Sequence, residues 1–229
     1  MILVNENFNS PINITEGLPN ILVVEDKHLF YKLVYDLIKQ SEGAEGNWIL
    51  SENSKIYSIS KTVNVIVDFF HLNFNSKPIL SKLYSNLKEI SSQSDLYMDT
   101  ISLKQSIIEY FEKINLELML PVEIDTEFDI TSIFKMLDVR FSEKDCELVE
   151  SINIISTILR DLTGNKLIVL VNLINYLSEE EIEILYRDLY YNKYSVLLIE
   201  NKWNRIKREN EKVFIIDDDL CEIYMDEHW

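Results

Sequence analysis

An α/β fold interrupted by a helical insertion is the class this chain's hydrophobic pattern predicts. Short, wholly apolar runs lie near both ends: "ILVV" at 21–24, "LIVLV" at 167–171 and "VLLI" at 196–199 read as buried strands. Amphipathic helical spacing follows the first run and separates the other two, as β-α-β units require. Between these end regions, from residue 79 to about 118, apolar residues recur at helical spacing only. The pattern assigns residues 1–59 and 146–229 to the α/β part and 60–145 to the insertion.

Taken in order, the strand at 21–24 leads through Glu25-Asp26 into a helix with Phe30, Leu33, Val34, Leu37 and Ile38 on one face. A loop at 41–47 holds two of the four glycines. "KIYSIS" and "VNVIVDFF" then read as two strands, or as a hairpin leading into a buried strand. Pro78 suits the first turn of the next helix, which carries Ile79, Leu80, Leu83, Leu87 and Ile90. A second stretch follows with Ile101, Ile107, Ile108, Phe111 and Ile114, then a short helix at "TSIFKML". Residues 143–163 predict a longer helix, and Gly164 stands where a helix stop belongs. The strand "KLIVLVN" precedes a capping box, Ser178 with Glu181, and the helix 179–192. "SVLLIE" and "VFIID" close the list of strands.

Composition removes several classes of function. Four glycines and four prolines among 229 residues are too few for a turn-rich all-β protein. A net charge of −17 opposes non-specific attraction to nucleic acid or anionic membrane. Apolar runs stop at five or six residues, whereas a membrane span needs about 20. The opening "MILVNENFNSP" has neither a basic region nor a long apolar one, so no secretory signal is read there. Cys146 and Cys221 fit free thiols in a reducing cytosol. The expectation is a soluble cytoplasmic protein.

Two enzyme-like or signalling motifs are suggested and fail. Glu25-Asp26 after an apolar strand, with Asp68 after "VNVIV", looks like the acidic pocket of a bacterial receiver. But Lys77-Pro78 follows Asp68 by only nine residues, before another strand could bring it round. A helix start where carboxylates suit the dipole explains the acidic pair equally well. "LTGNK" lacks the G-x-x-x-x-G-K-[ST] phosphate loop, and "LIVLVN" ends in Asn172 where a magnesium-holding aspartate would stand. His28, His71 and His228 are scattered, and no cysteine has a metal partner at ligand spacing. The chain is expected not to be an enzyme.

One cluster of charge stands apart. Between Glu109 and Asp129 lie seven acidic residues against one base, Lys113, and "EIDTEFD" is acidic at alternate positions. In extended backbone those four carboxylates share one side. They repel one another unless a cation or basic partner enters. Hard oxygen ligands suit Ca²⁺. The spacing is not that of an EF-hand, since Ile130 and Met136 stand at the sixth and twelfth loop positions counted from Asp125. A solvated acidic loop between helices is the alternative.

Five segments in this order, "ILVVEDKHLFYKLVYDLI", "VIVDFFHLNFNSKPIL", "IFKMLDVRF", "LIVLVNLINYLSEEEIEIL" and "VLLIE", resemble the subtype II-A CRISPR adaptation family called Csn-two. The resemblance covers nearly the whole chain, and the order of the segments carries it. It implies an α/β head related to P-loop ATPase folds without the nucleotide motif, plus a helical leg. It implies a non-catalytic homotetrameric ring that holds double-stranded DNA ends, stabilised by Ca²⁺, beside other CRISPR adaptation proteins (the integrase complex and the effector nuclease). By the same resemblance, Glu117, Glu123, Asp125 and Glu127 are the candidate calcium ligands. Lys135 and Arg140 are the candidate DNA phosphate contacts. Such a ring reconciles DNA with −17 by segregating its bases from its acids. A degenerate receiver-like signalling module and a protein-interaction domain without nucleic acid remain the alternatives.

Overall fold

The computed structural model of the chain describes residues 1–118, 120–142 and 146–225. His228, and residues 143–145 at the start of the helix expected over 143–163, lie outside them. The chain divides into two compact units, one made of Met1–Leu72 with Asp145–Trp229, the other of Asn73–Lys144.

The first unit is built on a six-stranded sheet. Strand β3 (Pro19–Val24) is buried along its whole length. It lies between β8 (Val196–Glu200) and β9 (Lys212–Ile216), parallel to both, with Ile21 opposite Leu198 on one side and Val213 on the other. Outward from β8 come β7 (Leu167–Val171) and then β6 (Val63–Ile66), again parallel. Outward from β9, β10 (Glu222–Met225) pairs antiparallel and closes that edge. Strands covered on both faces must be apolar at successive positions, which is why β3, β7 and β8 read as unbroken hydrophobic runs.

Residues 60–72 therefore belong to this unit and not to the insertion. Val63 pairs with Leu167, so the strand at 63–66 completes the parallel sheet, and the insertion begins at Asn73. The same strand order disposes of the receiver pocket. β3 and β6 are separated by β8 and β7, three strand spacings of roughly 4.8 Å each, so Asp68 cannot join Glu25 and Asp26. Asp26 instead caps helix α1 (Lys27–Ser41), its carboxylate accepting from the Leu29 N–H at 2.7 Å. Asp68 turns back on its own loop, accepting from the Phe70 N–H at 2.9 Å and contacting His71 Nδ1 at 2.7 Å.

Three strands of a second sheet escape the hydrophobic pattern because they are too short for a period to show; only its fourth lies in a run, "KIYSIS", read as strand. β1 (Ile2–Val4) sits between β2 (Ile12–Asn13) and β4 (Ile49–Glu52), and β5 (Lys55–Tyr57) forms the edge, all antiparallel. Asn53 and Ser54 turn the β4–β5 hairpin with φ of 49° and 65°, as a two-residue turn between twisted strands demands. The strand at 55 therefore pairs backwards. "SIS" leaves the sheet as a single helical turn, α2 (Ile59–Thr62), rather than continuing as strand. Leu3, Phe8, Ile12, Trp48 and Leu50 join the sheet to the core of the unit, and Trp48 Nε1 donates to the Leu33 carbonyl at 3.1 Å.

The second unit holds α3 (Lys77–Ser91), α4 (Ser94–Leu118) and α5 (Ile130–Met136). After it the chain returns through α6 (Leu148–Thr157), which widens into a π-helical turn at Ile158–Leu162 and stops before Gly164 at φ +75°. Helix α7 (Glu179–Asn192) opens with the reciprocal Ser178–Glu181 capping box.

Candidate nucleic-acid interface

The helical unit presents a groove between α3 and the N-terminal turn of α5. Lys77, Ser81, Ser85 and Lys88 recur at intervals of four and three along α3, which puts them on one face. Tyr84 lies half-buried between them. Asp129, Thr131 and Lys135 line the opposite wall. Three ammonium groups and three aliphatic hydroxyls thus face one carboxylate in a chain of net charge −17. Among the described residues, Lys77 and Lys135 take part in no ion pair, whereas Lys88 pairs with Asp129. Asp129 also caps α5, accepting from the Thr131 N–H at 2.8 Å. The Lys88 ammonium, helped by that N–H, holds the Asp129 carboxyl below the usual carboxylate range. Both side chains are about half exposed, so solvent screens the pair and its contribution to stability is small.

Lys135 lies in the last turn of α5 with its side chain exposed, inside this groove. Arg140 follows the helix, exposed, and pairs with Asp138 at 3.3 Å. The sequence reading missed Lys77, Lys88 and their hydroxyl neighbours. Their signal was the 77, 81, 85, 88 spacing on a helix whose apolar face, Ile79, Leu83 and Leu87, points elsewhere.

Glu117 stands exposed in the last turn of α4. Glu123, Asp125 and Glu127 are exposed in the segment that follows. That segment is anchored to α4 by Asn115 Nδ2, which donates to the Val122 carbonyl at 3.3 Å, and by Lys104 over the Phe128 ring at 5.2 Å. It is not one extended strand with its acids on a single side. Asp125 accepts from the Glu127 N–H at 2.9 Å, which bends the chain into a turn and breaks the alternation. No group of three or more His, Cys, Asp or Glu side chains gathers as a metal site among the described residues, so these four carboxylates do not converge.

The carboxyl ends of the central strands, where open α/β sheets usually bind ligands, are occupied by the protein's own contacts. Only Glu25 and Asp26 join β3 to α1, so the connection contains no loop able to wrap a phosphate. Asn172, at φ 56°, accepts from the Asn201 N–H at 3.1 Å. Glu200, ending β8 and only 3 % exposed, accepts from the Ile174 N–H at 3.1 Å. Burial pushes its carboxyl up to about 7, against the backbone N–H groups of Ile174 and Leu173 and the charge of Arg205. The only sequence signal for Glu200 was an acid directly continuing an apolar strand. Among the described residues, no helix is long and apolar enough to cross a membrane.

The family model of the CRISPR-associated protein (Cas_Csn2) matches residues 40–220, most of the chain. This protein belongs to the Csn2 family. The CRISPR-associated protein Csn2 of Enterococcus faecalis is 25 % identical over 202 residues, covering 84 % of this chain and 86 % of that one. Among solved structures, the ADP conformation of an ATP-binding cassette of an ABC transporter is 11 % identical with a TM-score of 0.46, over 93 % of this chain and 86 % of that one. A putative ABC transporter ATP-binding protein from Pyrococcus furiosus is also 11 % identical, with a TM-score of 0.40, over 93 % and 97 %. Csn2 membership makes this a CRISPR-associated protein and supports a part in CRISPR adaptation. In this Csn2 chain, family-matched residues 40–220 include the whole α3–α5 groove and the acidic segment beside it.

Proposed function

We propose that this Csn2-family protein is a non-catalytic binder of double-stranded DNA that serves CRISPR spacer acquisition. It acts as a homotetrameric ring beside the integrase complex and the effector nuclease. One observation supports the DNA reading above the others. Lys77, Lys88 and Lys135 converge in one groove of a strongly acidic chain, with the hydroxyls of Ser81, Ser85 and Thr131 and the half-buried Tyr84 among them. Ammonium and hydroxyl donors contact phosphate and read no base edge, so binding is independent of sequence and weakened by salt.

Assembly is supported by α4. Leu96, Leu103, Ile107, Tyr110, Ile114 and Leu118 form one stripe along it at heptad-like spacing, each between 37 % and 68 % exposed. A second copy of the chain is the occupant proposed for that stripe. Calcium is proposed as a ligand of the carboxylates in 117–127, whose mutual repulsion a divalent cation lowers. They form no ready-made cage among the described residues.

The test is anisotropy of labelled linear duplex against the same sequence as a covalently closed circle. A closed ring loads only from a free end, so linear duplex binds and the circle does not. Replacing Lys135 and Arg140 together by glutamate weakens binding about equally for all sequences. The dependence of log affinity on log salt flattens by roughly 0.9 per lost phosphate contact. Equal loading of line and circle would remove the ring. Unchanged affinity in the charge reversal would remove these two residues.

A further inference from the structure

We propose that the α3–α5 groove is a phosphate-binding site in which Asp129 competes with the ligand for Lys88. The inference rests on the DNA-binding reading and goes beyond it, because it names an internal competitor for one of the contacts.

The two oxygens of Asp129 do different jobs. Oδ1 accepts from the Thr131 N–H at 2.8 Å and starts α5. Oδ2 receives the Lys88 ammonium. An anionic oxygen beside an ammonium group is what a phosphodiester would offer at the same place, so carboxylate and phosphate exclude each other there. The pair joins residues from two elements, α3 and the start of α5, across the groove itself. Its side chains are 52 % and 43 % exposed, which leaves it weak and open to displacement from solvent.

The other cations of the groove have no such partner. Neither Lys77 nor Lys135 takes part in an ion pair among the described residues. Lys77 also stands at the first residue of α3, where positive charge opposes the helix dipole. A bound anion relieves that conflict. The groove therefore holds two cations ready for phosphate and a third that becomes available only when Asp129 is displaced.

Asp129→Asn is the deciding substitution. Asparagine caps a helix about as well as aspartate, so α5 keeps its start. The amide nitrogen that replaces Oδ2 cannot accept from Lys88. Titrations use the full chain at fixed salt, with a labelled short linear duplex in one arm and inorganic phosphate in the other, which separates nucleic acid from free anion. The variant should bind duplex about threefold more tightly, the effect of releasing one exposed ion pair. Adding Lys88→Gln should abolish that gain. If Asp129→Asn binds no better than the parent while the Lys135 and Arg140 reversal still weakens duplex, the competitor role is wrong and the DNA reading stands. If the parent does not bind duplex, the DNA reading falls, and the phosphate arm decides this inference alone: tighter phosphate binding by the variant keeps it, and no change overturns it. Asp129→Ser, which also caps, serves if the asparagine variant does not fold.

Discussion

The Glu200 carboxylate, at the end of β8, accepts a hydrogen bond of 3.1 Å from the backbone N–H of Ile174, in the 3-10 turn that follows β7. This contact bridges the carboxyl ends of two neighbouring strands. It orders a 3-10 turn whose last residue, Tyr176, packs edge-on against Phe69 and Phe70.

The same burial makes stability depend on pH. Glu200 is raised from 4.5 to about 7, chiefly by desolvation. Between those values the folded protein binds more protons at this site than the unfolded chain does. Its contribution to stability is therefore fully present below pH 4.5 and declines as pH rises through about 7, by about 3 kcal/mol in all. Glu200→Gln removes the titration and keeps an acceptor for Ile174. Denaturant unfolding should find the variant close to the parent near pH 4.5 and more stable than it at pH 8 by up to about 3 kcal/mol. A stability difference that does not change with pH would contradict the buried, titrating carboxyl.

Asn20 is a buried tether at the amino end of β3. Its amide nitrogen donates to the carbonyls of Thr15, Leu18 and Val196, and its oxygen accepts from the Thr15 N–H at 2.8 Å. Asn20→Ala strands these backbone groups where water enters poorly. A loss of about 2–4 kcal/mol is expected by the same unfolding measurement, larger than for an exposed asparagine such as Asn9.

No nucleotide binding is expected at the carboxyl ends of the sheet. A two-residue acidic connection replaces a phosphate cradle, and Asn172 stands where a magnesium-holding carboxylate would be needed. Calorimetric titration with magnesium-ATP should give no saturable heat. Saturable binding would mean that the crevice is formed by some other set of groups.

Calcium and assembly are expected to be linked. Replacing Glu123 and Asp125 together by alanine should weaken calcium binding in calorimetry and lower the calcium-dependent gain in tetramer measured by native mass spectrometry, since a ligand that favours one state stabilises it by mass action. A double variant that binds the ion and assembles like the parent would return this stretch to a solvated acidic loop.

The sequence by itself determined the elements whose cause is local. The apolar runs of β3, β7 and β8, the capping box before α7 and the stop at Gly164 each depend on residues within a turn or so of one another. So does the missing phosphate loop, and the order of whole segments was enough to suggest the family. The tertiary structure decided whatever depends on distant neighbours. It put β6 into the first unit, because Val63 finds its partner in Leu167, far along the chain. It formed a second sheet, three of whose strands are too short to show a period. It raised Glu200, because a carboxylate's proton affinity follows the solvent around it and not its place in a run. It also brought Lys135 opposite Lys77 and Lys88 while leaving the four acids of 117–127 apart. Charge is written residue by residue in a sequence, but an electrostatic site is set by distance and desolvation, and the packing of the chain supplies both.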